Sequence, residues 1–442
     1  MQRHALLALL LVFQVLAAPQ SDLITSLPGA PSGGYSFKQY SGYLDVGDSS
    51  HYHYWFVEAK TNPTAAPLIL WLNGGPGCSS MDGLLEENGP FSVAENGTLL
   101  TNPFSWNTLA NIIYLESPAG VGYSYNDDDQ GYDDRLTASE NYQALVAWFK
   151  KFPEYAKNPF YIMGESYGGH YVPMLSQLIV KATASNPNDA PQSNFKGFAA
   201  GNPLTDADYD QGDYWINQYL KYHGMIQLDD DDSTSAQGPY DPYDILVDVC
   251  PDGSSLSLSD RIRFPHRLNG YKGIDRKGFN PLKQLRVNNK RYVANPPACA
   301  DDWTTTWANQ DGVKSALHVN SDINWQICGG PSYTFGDESM LPIYKNILST
   351  NKYKVLVYSG DEDTVLNFLA TERWVLDLKY PIKTQWKPWY YDQGYGSQVG
   401  GYNIAFNAGA AFNFTTIKGS GHMVPWFQPA LALQLLNNFL FH

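Results

Sequence analysis

Phe160-Tyr161-Ile162-Met163-Gly164-Glu165-Ser166-Tyr167-Gly168-Gly169 is the stretch that decides the fold. Its first four residues form a short apolar run, which reads as a strand buried on both faces of a sheet. A serine between glycines follows at once, and a helical pattern begins after Tyr171. Strand, sharp turn and helix make the setting of a nucleophile elbow. In so sharp a turn, side chains at the glycine positions would clash, and the serine is left at the tip on a strained backbone. A bare Gly-x-Ser-x-Gly arises often by chance, so the setting carries the meaning. His170 lies near Ser166, but four residues along the same turn it is expected to point into the start of the helix.

Similar apolar runs recur on either side, at Leu68-Ile69-Leu70-Trp71-Leu72, Ile112 to Leu115, Phe195 to Ala200 and Val355 to Tyr358. Tyr40 to Leu44 and Tyr52 to Val57 read as an early antiparallel pair. Helical signals sit between the runs. Thr137-Ala138-Ser139-Glu140 has the form of a capping box, with Thr137 as cap, and Ala138, Tyr142, Leu145 and Phe149 follow on one face. Val172, Leu175, Leu178, Ile179 and Ala182 make a second stripe, and Leu431 to Leu440 a last helix. Strands alternating with helices predict an α/β fold with a central, mostly parallel sheet. Thr205 to Ala300 breaks the alternation with Pro, Gly, Asn and the run Asp229 to Asp232, and reads as an inserted lid. The Asp run is expected to be a solvated loop, since its spacing matches no calcium loop. The chain then divides into 1–17, a first core half 18–204, a lid 205–303 and a second core half 304–442.

Of the 442 residues, 43% are hydrophobic and 17% charged, a globular composition that argues against disorder. Aromatic residues reach 14%, enough to line a cleft as well as a core. The formal charge of −15 makes nucleic acid and anionic membranes poor partners. It suits an acidic compartment, where protonated carboxylates relieve self-repulsion. Met1-Gln2-Arg3-His4, an apolar stretch from Ala5 to Leu16 and small residues at Ala17 and Ala18 form a signal-peptide pattern, with cleavage expected near Ala17. In an oxidising compartment Cys78, Cys250, Cys299 and Cys328 read as two disulfides, for which spacing leaves three pairings open. Asn96-Gly97-Thr98 and Asn413-Phe414-Thr415 are glycan acceptor sequons.

A serine hydroxyl needs a base to take its proton. In chains with this elbow the acid and then the histidine follow the serine. The run Val355 to Tyr358 leads into Ser359-Gly360-Asp361-Glu362-Asp363, and Phe414 to Ile417 leads into Gly419-Ser420-Gly421-His422. Both lie just past strand ends, where open α/β sheets place their sites. His422 is the candidate general base, and Asp363 or Asp361 the group that orients it. After Leu68 to Leu72 comes Asn73-Gly74-Gly75-Pro76-Gly77-Cys78-Ser79-Ser80. This glycine-rich loop can offer backbone N–H groups to an oxyanion. A phosphate-cradling role fits poorly, because the loop has no basic residue and no Gly-Lys-Ser/Thr ending. His51 and His53 share a strand face, but nothing completes a metal ligand set.

Taken together, Trp71 to Ser80, Glu87-Asn88-Gly89-Pro90, Glu116-Ser117-Pro118-Ala119-Gly120-Val121-Gly122-Tyr123-Ser124-Tyr125, the elbow, Gly360 to Asp363 with Asn367, and Gly421-His422-Met423-Val424-Pro425 resemble the serine carboxypeptidase family over nearly the whole mature chain. Phe152-Pro153-Glu154-Tyr155 and the Asp363/Asn367 spacing are most similar to its cathepsin A branch. The resemblance implies an α/β-hydrolase fold with an inserted lid. It implies Ser166 as nucleophile, His422 as base, and Asp363 rather than Asp361 as the acid. It implies an oxyanion hole from the N–H groups of Gly75 and Tyr167. It places Asn73, Gly74 and Glu165 on the substrate's terminal carboxylate, with Glu87 sharing a hydrogen bond with Glu165. It pairs Cys78 with Cys328 and Cys250 with Cys299. The chain departs from the family at Gly168, where Ala is usual, at Trp426-Phe427-Gln428-Pro429, and in the few cysteines of the lid.

The leading expectation is an exopeptidase that removes one C-terminal residue at acid pH through an acyl-enzyme. A peptide's terminal carboxylate stays ionised near pH 5, while a Glu beside another Glu is pushed up and keeps its proton to donate. The alternatives are an acyltransferase or esterase on the same scaffold, and a protective partner of lysosomal enzymes without catalysis. Peptide or protein C-termini are the expected partners and a homodimer the assembly to look for. No cofactor, metal, nucleic acid or membrane span is expected. The destination is the secretory pathway, ending in the lysosome or outside the cell.

Overall fold

The apolar runs do form one sheet. A computed structural model describes residues 18–230, 232, 233, 236, 240–249, 300–336, 339–392, 394 and 396–442. The expected signal-peptide segment, Cys250, Cys299 and most of the expected lid therefore lie outside the described residues. Its longer strands are β1 Gln39–Val46, β2 Ser50–Val57, β3 Leu68–Leu72, β4 Asn111–Leu115, β5 Phe160–Ser166, β6 Phe195–Pro203, β7 Lys354–Gly360, β8 Ile382–Tyr391, β9 Gln398–Phe406 and β10 Ala411–Ile417. Their spatial order is β1-β2-β4-β3-β5-β6-β7-β10-β9-β8. The six strands from β4 to β10 in that order run parallel. The early pair β1–β2 is antiparallel as expected, and β2 also joins β4 antiparallel. An antiparallel extension, β9 and β8, closes the other side.

Successive residues of the central strands enter opposite layers, and both layers are buried. Leu70, Ile162 and Val357 face one core, and Ile69, Tyr161 and Leu356 the other. This is why those strands read as unbroken apolar runs. The first layer is covered by α1 Asp134–Lys151, α2 Gly168–Ala182, α3 Leu341–Ser349 and α4 Phe368–Asp377, through Trp148, Leu175, Ile347 and Trp374. The second is covered by α5 Pro429–Phe441, through Leu431, Leu435 and Phe439.

Two helix starts differ from the sequence reading. α1 begins one turn before the capping box: Asp133 is the cap, and its Oδ1 accepts from Leu136 N–H at 2.8 Å. Thr137 and Glu140 are instead buried inside the helix, where Glu140 Oε2 accepts from the hydroxyls of Tyr52 and Tyr132, both at 2.9 Å. A helix interior that can satisfy a buried carboxylate outcompetes its use as a cap. α2 begins at Gly168, not after Tyr171, and contains Pro173. The sequon Asn96 is exposed, whereas Asn413 is half-buried within β10. Among the described residues no helix is long and apolar enough to cross a membrane.

Candidate active site

β5, β6, β7 and β10 are consecutive parallel strands, and each delivers one group at its C-terminal end. Ser166 ends β5 with φ 57°, a left-handed conformation that costs energy for any residue but glycine. The strained tip expected of the elbow is therefore present. Gly169 is dictated by close approach. A Cβ there would lie 2.7 Å from the carbonyl carbon of Leu204, just beyond β6. His170 turns away from the serine, with Nδ1 2.9 Å from Leu204 O.

Asp363 follows β7 and is completely buried. His422 Nδ1–H donates to its Oδ2 at 2.7 Å. Asp361 is engaged elsewhere, accepting from Gly419 N–H at 2.6 Å, so geometry separates the two candidate acids. Asn202, at the end of β6, was not foreseen. Its Nδ2 donates to the same Oδ2 of Asp363 at 2.8 Å, and its Oδ1 accepts from Gly360 N–H at 3.0 Å. With Val365 N–H on Oδ1 at 2.8 Å, Asp363 is bonded at both oxygens and fixes the imidazole tautomer. Tyr243, from the stretch expected to be lid, packs edge-on to His422 with ring centroids 5.0 Å apart, and its backbone carbonyl accepts from the His422 backbone N–H at 2.7 Å. His422 Nε2 is buried and makes no hydrogen bond with a described residue, Ser166 included. Asp363 and His422 are thus joined, and His422 and Ser166 are not hydrogen-bonded.

The loop after β3 lies against the elbow. A Cβ on Gly74 would fall 2.7 Å from Ser166 Cβ and 2.8 Å from Glu165 O, and closer still to Tyr167 N. Gly75 follows at φ 112°. The two expected oxyanion donors, Gly75 and Tyr167, therefore belong to segments in direct contact. The disulfide Cys78–Cys328 ties this loop to the second half of the chain. Ser79 adds a hydrogen bond to Glu116, a buried carboxylate that also accepts from Trp325 Nε1–H and faces His53 Nδ1, each at 2.7 Å.

Asn73 has a forced orientation. Its Oδ1 accepts from Trp71 Nε1–H at 2.7 Å and Gly83 N–H at 3.1 Å. Its Nδ2 therefore points the other way, donating to Glu87 Oε1 at 2.9 Å and Glu165 Oε1 at 3.0 Å. Both amide protons are engaged by the glutamates, so Asn73 orients them here rather than standing free for a substrate. Glu165 and Glu87 are both buried and in hydrogen-bonding contact with each other. Burial, then the Glu87 charge, pushes Glu165 well above the usual carboxylate range. Burial also lifts Glu87, to about 7. Their Oε2 atoms receive no donor from a described residue. A buried carboxyl pair of this kind holds a proton at mildly acid pH.

The family model for serine carboxypeptidases matches residues 28–442. Mouse lysosomal protective protein is 37% identical, with 96% of this chain and 94% of that protein covered. Serine carboxypeptidase-like 32 of Arabidopsis thaliana is 37% identical, with 95% and 92% covered. A prohormone-processing carboxypeptidase from Saccharomyces cerevisiae superposes with a TM-score of 0.72 over 96% of both chains at 19% identity, a likeness of fold. With an α/β-hydrolase sheet, an elbow serine and a match across nearly its whole length, the chain belongs to the serine carboxypeptidase family and is a serine-type carboxypeptidase.

Proposed function

We propose that the chain releases single C-terminal residues from peptides at acid pH through an acyl-enzyme, with Ser166, His422 and Asp363 as its triad. One observation carries the reading: beside the elbow serine lies a buried pair, Glu165 and Glu87, that keeps a proton where a peptide's terminal carboxylate has lost its own. Protonated Glu165 donates to that carboxylate, whereas ionised Glu165 repels it. Gly74 N–H adds a second donor. The anchored carboxylate sets the last peptide bond over Ser166, which makes the enzyme an exopeptidase.

Ser166 Oγ attacks the carbonyl carbon of that bond as His422 Nε2 takes its proton. The tetrahedral oxyanion is met by the N–H groups of Gly75 and Tyr167. Asp363, held by Asn202, stabilises the imidazolium. The C–N bond breaks as His422 returns the proton to the leaving amine, and the free amino acid departs. Water then attacks the acyl-enzyme by the same route and restores the serine. Tyr243 over His422 supports a lid role for part of residues 205–303. The signal-peptide pattern and the disulfide support a secretory route, to the lysosome or the exterior.

The test joins an organophosphonate probe with a blocked dipeptide assay at about pH 5. Labelling of Ser166 together with release of the C-terminal residue is expected. Absence of labelling on active protein overturns the triad. Labelling with release only from esters favours the acyltransferase or esterase reading.

A further inference from the structure

The sequon Asn413-Phe414-Thr415 occupies an unusual place. Acceptor asparagines are expected in surface loops, yet Asn413 sits inside β10, paired with Leu356 of β7 on one side and Ala405 of β9 on the other. Its neighbours Phe412 and Phe414 are fully buried in one core layer, so Asn413 faces the opposite side of the sheet. On that side, β8 to β10 and α5 leave a cleft of 230 Å³. Leu356 and Phe439 form its floor, Trp389 and Lys387 of β8 stand along it, and Asn438 of α5 lines it too. The Trp389 indole is pinned by its Nε1–H to Thr416 O at 3.0 Å. Asn413 also lines the cleft, and its side-chain amide makes no hydrogen bond with a described residue.

We propose that Asn413 carries an N-linked glycan whose first N-acetylglucosamine lies in this cleft. The cleft matches the sugar's two-sided chemistry: an aromatic wall and an aliphatic floor for C–H faces and the acetyl methyl, with an ammonium and an amide for hydroxyls. In the transfer step, Asn413 Nδ2 attacks C1 of the sugar of a lipid-linked oligosaccharide diphosphate. The C1–O bond to the lipid diphosphate breaks, the Nδ2–C1 bond forms, Nδ2 gives up one proton, and the lipid diphosphate leaves. Transfer precedes folding, because in the folded chain β7 and β9 flank the acceptor. The strand then closes with the sugar in place, and the glycan acts as a packing element of the sheet rather than a surface appendage. This inference is independent of the catalytic reading.

The full chain secreted from a eukaryotic cell provides the test. Peptide N-glycanase in heavy-oxygen water converts each glycosylated asparagine to a labelled aspartate, read by mass spectrometry. At Asn413 we expect complete labelling after denaturation and at least tenfold slower labelling in the folded protein. Thr415→Ser keeps the glycan and Thr415→Ala removes it while leaving Asn413 in place, so a poorly folding Asn413→Gln is not needed. An unmodified Asn413 in the secreted protein overturns the proposal. So does release from the folded protein as fast as from the denatured one, which describes a glycan standing clear of the cleft.

Discussion

Glu165 and Glu87 are held face to face by one amide: Asn73 Nδ2 donates to both, at 3.0 and 2.9 Å. Two carboxyls in one buried site cannot both ionise easily, so the pair titrates as a unit and retains a proton toward neutrality. Substrate affinity should follow that proton. For the wild-type enzyme we expect KM to stay low through the acid range, where the pair keeps its proton, and to rise at the higher pH at which Glu165, held well above the usual carboxylate range, ionises. Glu165→Gln cannot ionise, so its KM should be flat across the same range. An unchanged acid preference in that variant would remove the pair from substrate recognition.

Asn202 and His422 share one oxygen of Asp363. Asn202→Ala should leave substrate binding alone and lower kcat by about tenfold to a hundredfold, from the ~1.5–3 kcal/mol usual for a hydrogen bond to a charged group. The signature is a fall in kcat with KM unchanged, together with a shifted pH profile of kcat. A rise in KM with normal kcat would instead place Asn202 in substrate binding.

Stability should favour acid. Burial raises Asp210, Asp244 and Glu87 to about 7 and Asp241 to about 6. In the unfolded chain such groups lose their protons near pH 4. Between these values the folded state binds more protons, so folding stability declines as pH rises. It is fully present below the ordinary carboxylate range and lost by about pH 7. Denaturant midpoints measured at fixed ionic strength should therefore fall steadily from pH 5 to 7, and a midpoint that rises over that window contradicts the assignment. Asp210→Asn should flatten part of the slope.

The Cys78–Cys328 bridge closes a sequence separation of 250 residues. On chain-entropy grounds a loop of that length contributes on the order of 5 kcal/mol. Replacing both cysteines with serine should lower the denaturant midpoint accordingly. Because Cys78 lies three residues past Gly75, kcat should fall as well. Loss of stability with full kcat in the surviving folded fraction would show that the loop holds its shape without the bridge.

The central strands were legible because burial on both faces leaves no polar residue to break the pattern, as at Leu68 to Leu72. The site was legible where chemistry demands a local motif: an elbow glycine, a loop without side chains, a histidine past a strand. Asn202 has no such motif. Its only signal was position, at the end of the strand beside the elbow strand, with φ 38°. Tyr243 comes from a stretch without periodicity, and only folding brings it to His422. β8 escaped notice because it is largely exposed and carries Trp386 and Tyr390 where polar residues are usual, and β9 because Gly400 and Gly401 interrupt its apolar pattern. The capping box at Thr137 misled because it is a local pattern, whereas the buried contacts of Glu140 with Tyr52 and Tyr132 arise only on folding.

Gly74 leaves its side-chain space to Ser166 and Tyr167, two residues on a segment far from it in sequence. The elbow and the glycine-rich loop are thus fitted to each other at this one position. A side chain added at Gly74 would therefore disturb the elbow and the glycine-rich loop at once, although the change is a single residue.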